Sequence, residues 1–269
     1  MKVNCHIHSL HSDGIYEIEE IIPMLMQEQV EVFSITDHDT VSGIHIARES
    51  SKDKIQFISG IEFTCRELEI PSVRKTFSIH LLGYNFDETT PSLVNALKFR
   101  KQTADGLFQE LCKELTAFGY AVSKEEIPIS CGNVLQLCDI KNYIRLKYPT
   151  AGSHVFDHID SYSAKLNRTN LSFSQALSLI HDAGGKAVWA HPFYVYKDFE
   201  KMQLTHQEVL ATLEYLIPFH LDGIEAFYPA FDNKTQTWLV ELTRKYNLLF
   251  TAGSDFHGSK GRDLLSMEI

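Results

Sequence analysis

Residues 2–8, Lys2-Val3-Asn4-Cys5-His6-Ile7-His8, alternate apolar and polar side chains and predict a strand with His6 and His8 on one face. The alternation of elements after this strand decides the fold. Residues 17–29 (EIEEIIPMLMQEQ) space Ile18, Ile21, Ile22, Leu25 and Met26 as a helix does, with Pro23 predicting a break or kink. Residues 31–36 predict the next strand, 43–51 the next helix, and 55–63 and 77–84 two further strands. Short strands alternating with helices predict parallel βα units with right-handed connections.

The rhythm changes after Pro91. Residues 93–118 predict one long helix stopped by Gly119, and 123–170 offer no convincing strand, only short helical pieces at 134–137 and 142–147. It resumes with a helix from Phe173 to Ala183, the Gly184-Gly185 stop and a strand at 186–190. Helix 205–217, strand 222–227, helix 232–246 and strand 248–252 complete the chain. The expected organisation is a βα barrel in two parts, 1–98 and 171–269, interrupted by a small helical cap at 99–170.

Composition bounds the function. The chain has 269 residues, 44% of them hydrophobic and 22% charged, enough to bury a sizeable core. No apolar run approaches the roughly 18 residues of a membrane span, and the start Met1-Lys2-Val3-Asn4-Cys5-His6 lacks an apolar leader, so the expected location is cytoplasmic with no membrane partner. A formal charge of −10 without a basic stripe argues against long nucleic acid. The five cysteines, Cys5, Cys65, Cys112, Cys131 and Cys138, are scattered and read as small apolar residues rather than a disulfide framework. Histidine is the informative residue, with 13 copies.

Several of these histidines stand with carboxylates in or beside predicted strands. They are His6 and His8, Asp13 in the turn after them, His38 in Thr36-Asp37-His38-Asp39, Glu62 in Gly60-Ile61-Glu62, and His80 before Leu81-Leu82-Gly83-Tyr84. His191 in Ala190-His191-Pro192, and Asp255 and His257 in Ser254-Asp255-Phe256-His257, complete the set. Strand ends of a βα barrel converge on one face, where active sites sit. Six imidazoles and three carboxylates are too many for one structural zinc and suit two or three divalent ions, Mn first, with Fe or Zn as alternatives. Three carboxylates bring about −3 against about +4 to +6 from the ions, so a cationic pocket inside an acidic chain would take a small phosphate ester. Taken singly, each residue has an ordinary reading, such as a solvated strand His or a helix N-cap for Asp255. Those readings would all have to hold together at successive strand ends. Asp37 and Asp39 read as acceptors orienting imidazoles, Asp39 equally as a helix cap, and His11 as a support of the turn. His154 and His158, four apart in the insertion, read as helix-face residues.

These motifs resemble the PHP family, which is named for its polymerase-associated and histidinol-phosphatase members. The resemblance rests on His6-Ile7-His8-Ser9 with Ser12-Asp13-Gly14, Ile35-Thr36-Asp37-His38-Asp39-Thr40, Gly60-Ile61-Glu62 and His80-Leu81-Leu82-Gly83-Tyr84. It continues through Ala183-Gly184-Gly185-Lys186-Ala187-Val188, Ala190-His191-Pro192, Gly223-Ile224-Glu225 and Gly253-Ser254-Asp255-Phe256-His257-Gly258. It implies an α/β fold, a distorted (β/α)7 TIM-like barrel, with a bi- or trinuclear metal site and phosphoesterase activity.

The helical insertion and the Ser12-Asp13-Gly14 turn are similar to the family's nucleotide-phosphoesterase branch. That branch implies AMP, a 3′,5′-bisphosphonucleotide or the 5′ end of a short oligoribonucleotide as substrate. Arg100 and Lys101 stand where the branch has an arginine-rich, substrate-binding helix; residues 133–136, from Asn133 to Gln136, stand where an Arg-Pro-His motif is common, and lack it. The expected chemistry is in-line attack by a hydroxide bridging two metals, with Asp13, His38, Glu62 and His191 as the catalytic residues. Glu62 is expected to bridge, with His80 and His191 completing a third or mixed site. A histidinol-phosphate or other metabolite phosphatase, an amidohydrolase and a non-catalytic metal-binding module are the rival readings.

Overall fold

Strand–helix alternation runs through the structure, a computed structural model that describes residues 1–130, 132, 134–197, 200–258 and 266–268. In the first half come β1 (Lys2–Asn4), α1 (Ile18–Gln27), β2 (Val32–Phe33), α2 (Ile44–Ser51), β3 (Gln56–Phe57), β4 (Gly60–Thr64), β5 (Leu68–Ile70), β6 (Lys75–Phe77) and β7 (His80–Tyr84). Three helices come next: α3 (Pro91–Ala117), α4 (Leu137–Lys147) and α5 (Ser153–Asn167). The second half holds α6 (Phe173–Asp182), β8 (Lys186–Trp189), β9 (Tyr194–Lys197), β10 (Glu200–Gln203), α7 (His206–Leu216), β11 (Gly223–Phe227), α8 (Asn233–Tyr246), β12 (Leu249–Ala252) and β13 (Met267–Glu268).

Two sheets carry the site, one in the order β13-β1-β2-β3 and one in the order β12-β11-β8-β7-β4. Isolated bridges rather than ladders join them. At one seam the Cys5 N–H donates to Ala252 O at 2.9 Å and the His8 N–H to Phe256 O at 2.8 Å. At the other, the Asp39 N–H donates to Glu62 O at 2.9 Å. The fold is a distorted α/β barrel whose strand pairing is not continuous around the ring.

The expectation of parallel strands throughout fails at β7, which runs antiparallel to both β4 and β8. The segment between β4 and β7 folds into the β5–β6 hairpin instead of the crossover helix that parallel pairing needs. His80 opens β7, opposite Thr64, so reversal of the strand sets its amino end beside the carboxyl ends of its neighbours. Residues 55–63 also differ from one continuous strand, because the chain leaves β2 after β3 and joins β7 as β4. Pro23 does not break α1. It lies on the exposed side, as does Glu19, whose carbonyl loses its helical donor to the ring and faces water.

In the insertion, residues 134–136 are not helical. Gln136 caps α4 through a capping box with Asp139. Helix α5, which carries His154 and His158, is longer than the short pieces expected, because His, Asp and Ser crowd around Val155, Ile159, Tyr162 and Leu166, the buried residues that recur at helical spacing. Cys131 and Asn133 lie outside the described residues. Helices α3, α4 and α5 enclose their own core, with Leu111, Leu115, Ile140, Ile144, Val155 and Ile159 buried in it. The barrel helices pack separately around Phe63, Leu81, Ile180 and Trp189.

Truncating a fully buried core aliphatic to Ala costs about 2–5 kcal/mol. Ile159→Ala is therefore expected to destabilise α3–α5 by that amount. Hydrogen exchange should accelerate within residues 108–166 and leave β4, β7 and β8 protected. Uniform acceleration across the chain would show that the two cores open as one.

Candidate metal centre

The carboxyl ends of β1, β2, β8 and β12 release the chain into short loops, and these loops carry His6 and His8, His38, His191, and Asp255 and His257. Glu62 projects from within β4 and His80 from the start of β7. Asp39, His191 and Asp255 all have positive φ, at 52°, 27° and 54°. Left-handed backbone at non-glycine residues is costly and persists where the surroundings enforce it. Here it turns three strand ends sharply at the same face.

Glu62 is completely buried, and five imidazoles converge on its carboxylate. Oε2 lies 3.2 Å from His6 Nε2, 3.1 Å from His8 Nε2 and 3.3 Å from His38 Nε2. Oε1 lies 2.9 Å from His80 Nδ1 and 3.3 Å from His191 Nε2. Asp255 Oδ1 stands 3.5 Å from His6 Nε2 and 3.4 Å from His8 Nε2. Asp13 reaches His8 Nδ1 at 3.5 Å, His257 Nε2 at 3.3 Å and His38 Nε2 at 3.9 Å.

Burial alone would push Glu62 toward its neutral form, but His6, His38, His80 and His191 hold its carboxyl well below the usual range. Asp255 is treated alike: burial opposes its charge, and His8 and then His6 keep it ionised. Burial likewise disfavours a proton on His8, yet Asp255, Glu62 and Asp13 raise its pKa to about 10. Burial also disfavours charge on His6, which Glu62 and Glu225 overcome. On His38 burial wins. Helped by His8 and His80 and opposed only in part by Glu62 and Asp13, it lowers the imidazole to about 3. Carboxylates and imidazoles at the site thus favour charge on each other, His38 excepted.

The donor set fits divalent metals. Eight of the nine predicted ligands fall into three overlapping groups: His6, His8, Glu62 and Asp255; His38, Glu62 and His80; and His8, Asp13, His38 and His257. Within each group the donor atoms lie within 4.8 Å of one another. His8, His38 and Glu62 are each shared by two groups. His191, the ninth, faces Glu62 from outside them. His6 Nε2, both ring nitrogens of His8 and Glu62 Oε2 are buried and make no hydrogen bond of proper geometry. Several unsatisfied nitrogen and oxygen atoms at one point are what a metal cluster would complete.

Glu225 was not foreseen as a site residue. It is fully buried in β11, with Oε1 3.0 Å from His6 Nδ1 and Oε2 accepting the His191 N–H at 2.8 Å. The signal was present, because Gly223-Ile224-Glu225 repeats the Gly60-Ile61-Glu62 tripeptide on another strand. The Tyr228 hydroxyl donates to Asp255 Oδ2 at 3.0 Å, and the Tyr196 ring, from the unforeseen β9–β10 hairpin, stacks on His80 at 4.5 Å. Among the described residues Asp37 orients no imidazole. It accepts from the Ser9 N–H and from the Ser9 and Ser12 hydroxyls, and so shapes the turn that carries Asp13. His11 Nδ1 lies 2.9 Å from Ser42 Oγ.

Arg100 and Lys101, expected to bind substrate, both lie on α3. The Arg100 guanidinium bonds Asp39 at 2.9 Å and Asn170 Oδ1 at 2.8 Å, and Lys101 is exposed on α3. Lys141 pairs with Asp160, Arg145 stacks on Phe156, and Lys147 donates to Ala121 O and the Tyr143 hydroxyl. His158 bonds Glu114. The insertion does reach the centre: an added Cβ on Gly132 would sit 1.9 Å from Ser12 O, beside the Asp13 turn. Only glycine permits that approach.

The family model of the PHP domain matches residues 4–246. The chain belongs to the PHP domain family. It is 27% identical to the phosphoribosyl 1,2-cyclic phosphate 1,2-diphosphodiesterase of Eggerthella lenta, over 97% of this chain and 96% of that one. It is 26% identical to the 5′-3′ exoribonuclease Rnm of Escherichia coli, over 94% of this chain and 84% of that one. A solved structure from Bifidobacterium adolescentis, assigned as a metal-dependent phosphoesterase, superposes with a TM-score of 0.67 at 18% identity, covering 97% of this chain and 90% of its own. An amidohydrolase from Chromobacterium violaceum also scores 0.67, at 20% identity, covering 100% and 92%. These two show the shared fold. This PHP-domain protein is a phosphoric ester hydrolase with a metal-binding cluster. No helix among its described residues is long and apolar enough to cross a membrane.

A carboxylate that orients a ligating histidine typically contributes about 10–100-fold to metal affinity. Glu225→Gln is expected to weaken Mn binding, measured by calorimetry, by that factor while leaving the fold intact. Unchanged affinity would remove Glu225 from the centre.

Proposed function

We propose that this PHP-domain protein hydrolyses phosphate monoesters of small nucleotides: AMP, a 3′,5′-bisphosphonucleotide or the 5′ end of a short oligoribonucleotide. The observation that carries the reading is the sharing of His8, His38 and Glu62 between adjoining ligand groups. Shared ligands build a multinuclear centre, the arrangement suited to neutralising a phosphoryl group from two sides. Two or three divalent ions, Mn first and Fe or Zn as alternatives, would supply Lewis-acid charge and lower the pKa of water to about 7.

The chain's own residues then divide the work. Glu62, with His6, His8 and Asp255, would hold metal on one side of the centre. Asp13, His38 and His257 fix the other, and His80 stands between. His191 has Nδ1 within 2.9 Å of Tyr194 O, which leaves Nε2 facing the site. We assign that nitrogen to contact the ester and protonate its departing oxygen. The Tyr228 hydroxyl and Glu225 hold Asp255 and His6 in place.

A second reading, cleavage of a cyclic phosphate on ribose, is favoured by the Eggerthella lenta relative, which aligns over nearly its whole length. Ribose phosphate is common to both readings.

The Mn-loaded protein is expected to release phosphate from AMP, 3′,5′-bisphosphoadenosine or a 5′-phosphorylated dinucleotide. A chelator should abolish turnover, and Asp255→Asn should reduce it about 10²-fold or more. A ribose 1,2-cyclic phosphate and histidinol phosphate complete the panel. Turnover of the cyclic ester alone would establish the second reading, and of histidinol phosphate alone would overturn the nucleotide assignment. No turnover with metal bound would make the chain a binding module.

A further inference from the structure

Asp39 follows His38 directly, is buried, and has left-handed backbone with φ at 52°. Its N–H donates to Glu62 O at 2.9 Å, so one residue touches the backbone of two predicted ligands. Among the described residues its carboxylate pairs, at Oδ2, with Arg100 of α3, while Oδ1 is buried without a hydrogen bond of proper geometry. The same edge of Arg100, through the Nη2 that pairs with Asp39, also serves Asn170. Nε and Nη2 both donate to Asn170 Oδ1, at 3.2 and 2.8 Å. Asn170 ends the insertion, and Arg66, just after β4, secures the same corner by donating to Arg168 O and Asn170 O at 2.9 and 3.1 Å. The first helix of the insertion, its exit and the His38 loop therefore meet at one guanidinium.

We propose that Arg100 is a positioning residue for the metal centre: with Asn170 it clamps Asp39, and through Asp39 it fixes the loop that presents His38 beside Glu62. Arg suits this role because its planar fork serves two partners in fixed geometry, which a lysine ammonium does not. Loss of the cation leaves a buried carboxylate uncompensated one residue from a ligand, and the loop must rearrange to expose it. The inference rests on the metal-centre reading. It differs from a substrate clamp, in which Arg100 would bind a second phosphate directly.

Arg100→Ala, Arg100→Lys, Asp39→Asn and the Arg100→Ala/Asp39→Asn double variant separate the two roles. Mn affinity is read by calorimetry without substrate, and kcat and KM on AMP and on 3′,5′-bisphosphoadenosine. Circular dichroism verifies that each variant is folded, and the nearly isosteric Asp39→Asn keeps the test open if Arg100→Ala is not. We expect Arg100→Ala and Asp39→Asn each to weaken Mn binding about 10–100-fold, the range for residues that orient a metal ligand. They should lower kcat on both substrates alike with KM unchanged, and Arg100→Lys should recover part of the loss. The double variant should be no worse than the worse single one, since both act through one contact.

Unchanged Mn affinity in Arg100→Ala, with KM raised for the bisphosphate alone and Asp39→Asn silent, would overturn the proposal in favour of a substrate clamp. Additive losses would overturn the shared contact. The affinity measurement stands even if neither nucleotide is a substrate, so failure of the positioning role and failure of the proposed activity are distinguishable.

Discussion

Five imidazoles converge on the carboxylate of Glu62, and most of the structure can be understood as what it takes to hold that arrangement. A carboxylate completely out of water costs several kcal/mol unless opposite charge and hydrogen bonds surround it. Glu62 is completely buried, and its neighbours His6, His8, His38, His80 and His191 come from four strand ends around the barrel. Either protons on those imidazoles or divalent cations must balance the charge. Loading divalent ions here would exchange imidazole protons for metal charge.

That demand explains the irregularity of the barrel. A regular parallel ladder would carry each chain on into its helix, away from the axis. Here the ladders stop early and the seams are bridged by single hydrogen bonds, such as that from Asp39 N–H to Glu62 O. Three left-handed residues, Asp39, His191 and Asp255, bend the strand ends inward. The reversed β7 contributes His80 from its amino end, where a parallel strand could not have placed it beside Thr64. The core packs below around Phe63, Leu81, Ile180 and Trp189, and the three left-handed residues stand at the face above it.

Much of this was legible in the sequence because the signal was local. His6-Ile7-His8 declares its geometry through strand alternation, and Asp13, His38, Glu62 and His257 stand in short motifs beside glycine, serine or aspartate. Eight of the nine residues expected as ligands fall into the three donor groups, and His191 faces Glu62 beside them. What escaped was non-local. The polarity of β7 depends on whether residues 65–79 form a hairpin or a helix, and that is decided by packing against β9, as in the bond from Ser78 N–H to Tyr196 O. Glu225 escaped although Gly223-Ile224-Glu225 repeats the tripeptide of Glu62, because its role shows only when β11 lies against His6. Arg100 was legible as an important cation but not as a partner of Asp39, 61 positions away in the chain.

The insertion and the barrel have separate cores yet meet at the site itself, through Gly132 on the Ser12–Asp13 turn and Arg100 on Asp39. Ligand geometry and substrate access are thereby joined. Electron paramagnetic resonance of the fully Mn-loaded protein tests whether Glu62 makes the centre multinuclear. Ions sharing the Glu62 carboxylate are expected to give an exchange-coupled spectrum. At saturating Mn, a spectrum of isolated ions only would contradict the shared-ligand centre on which the account is built.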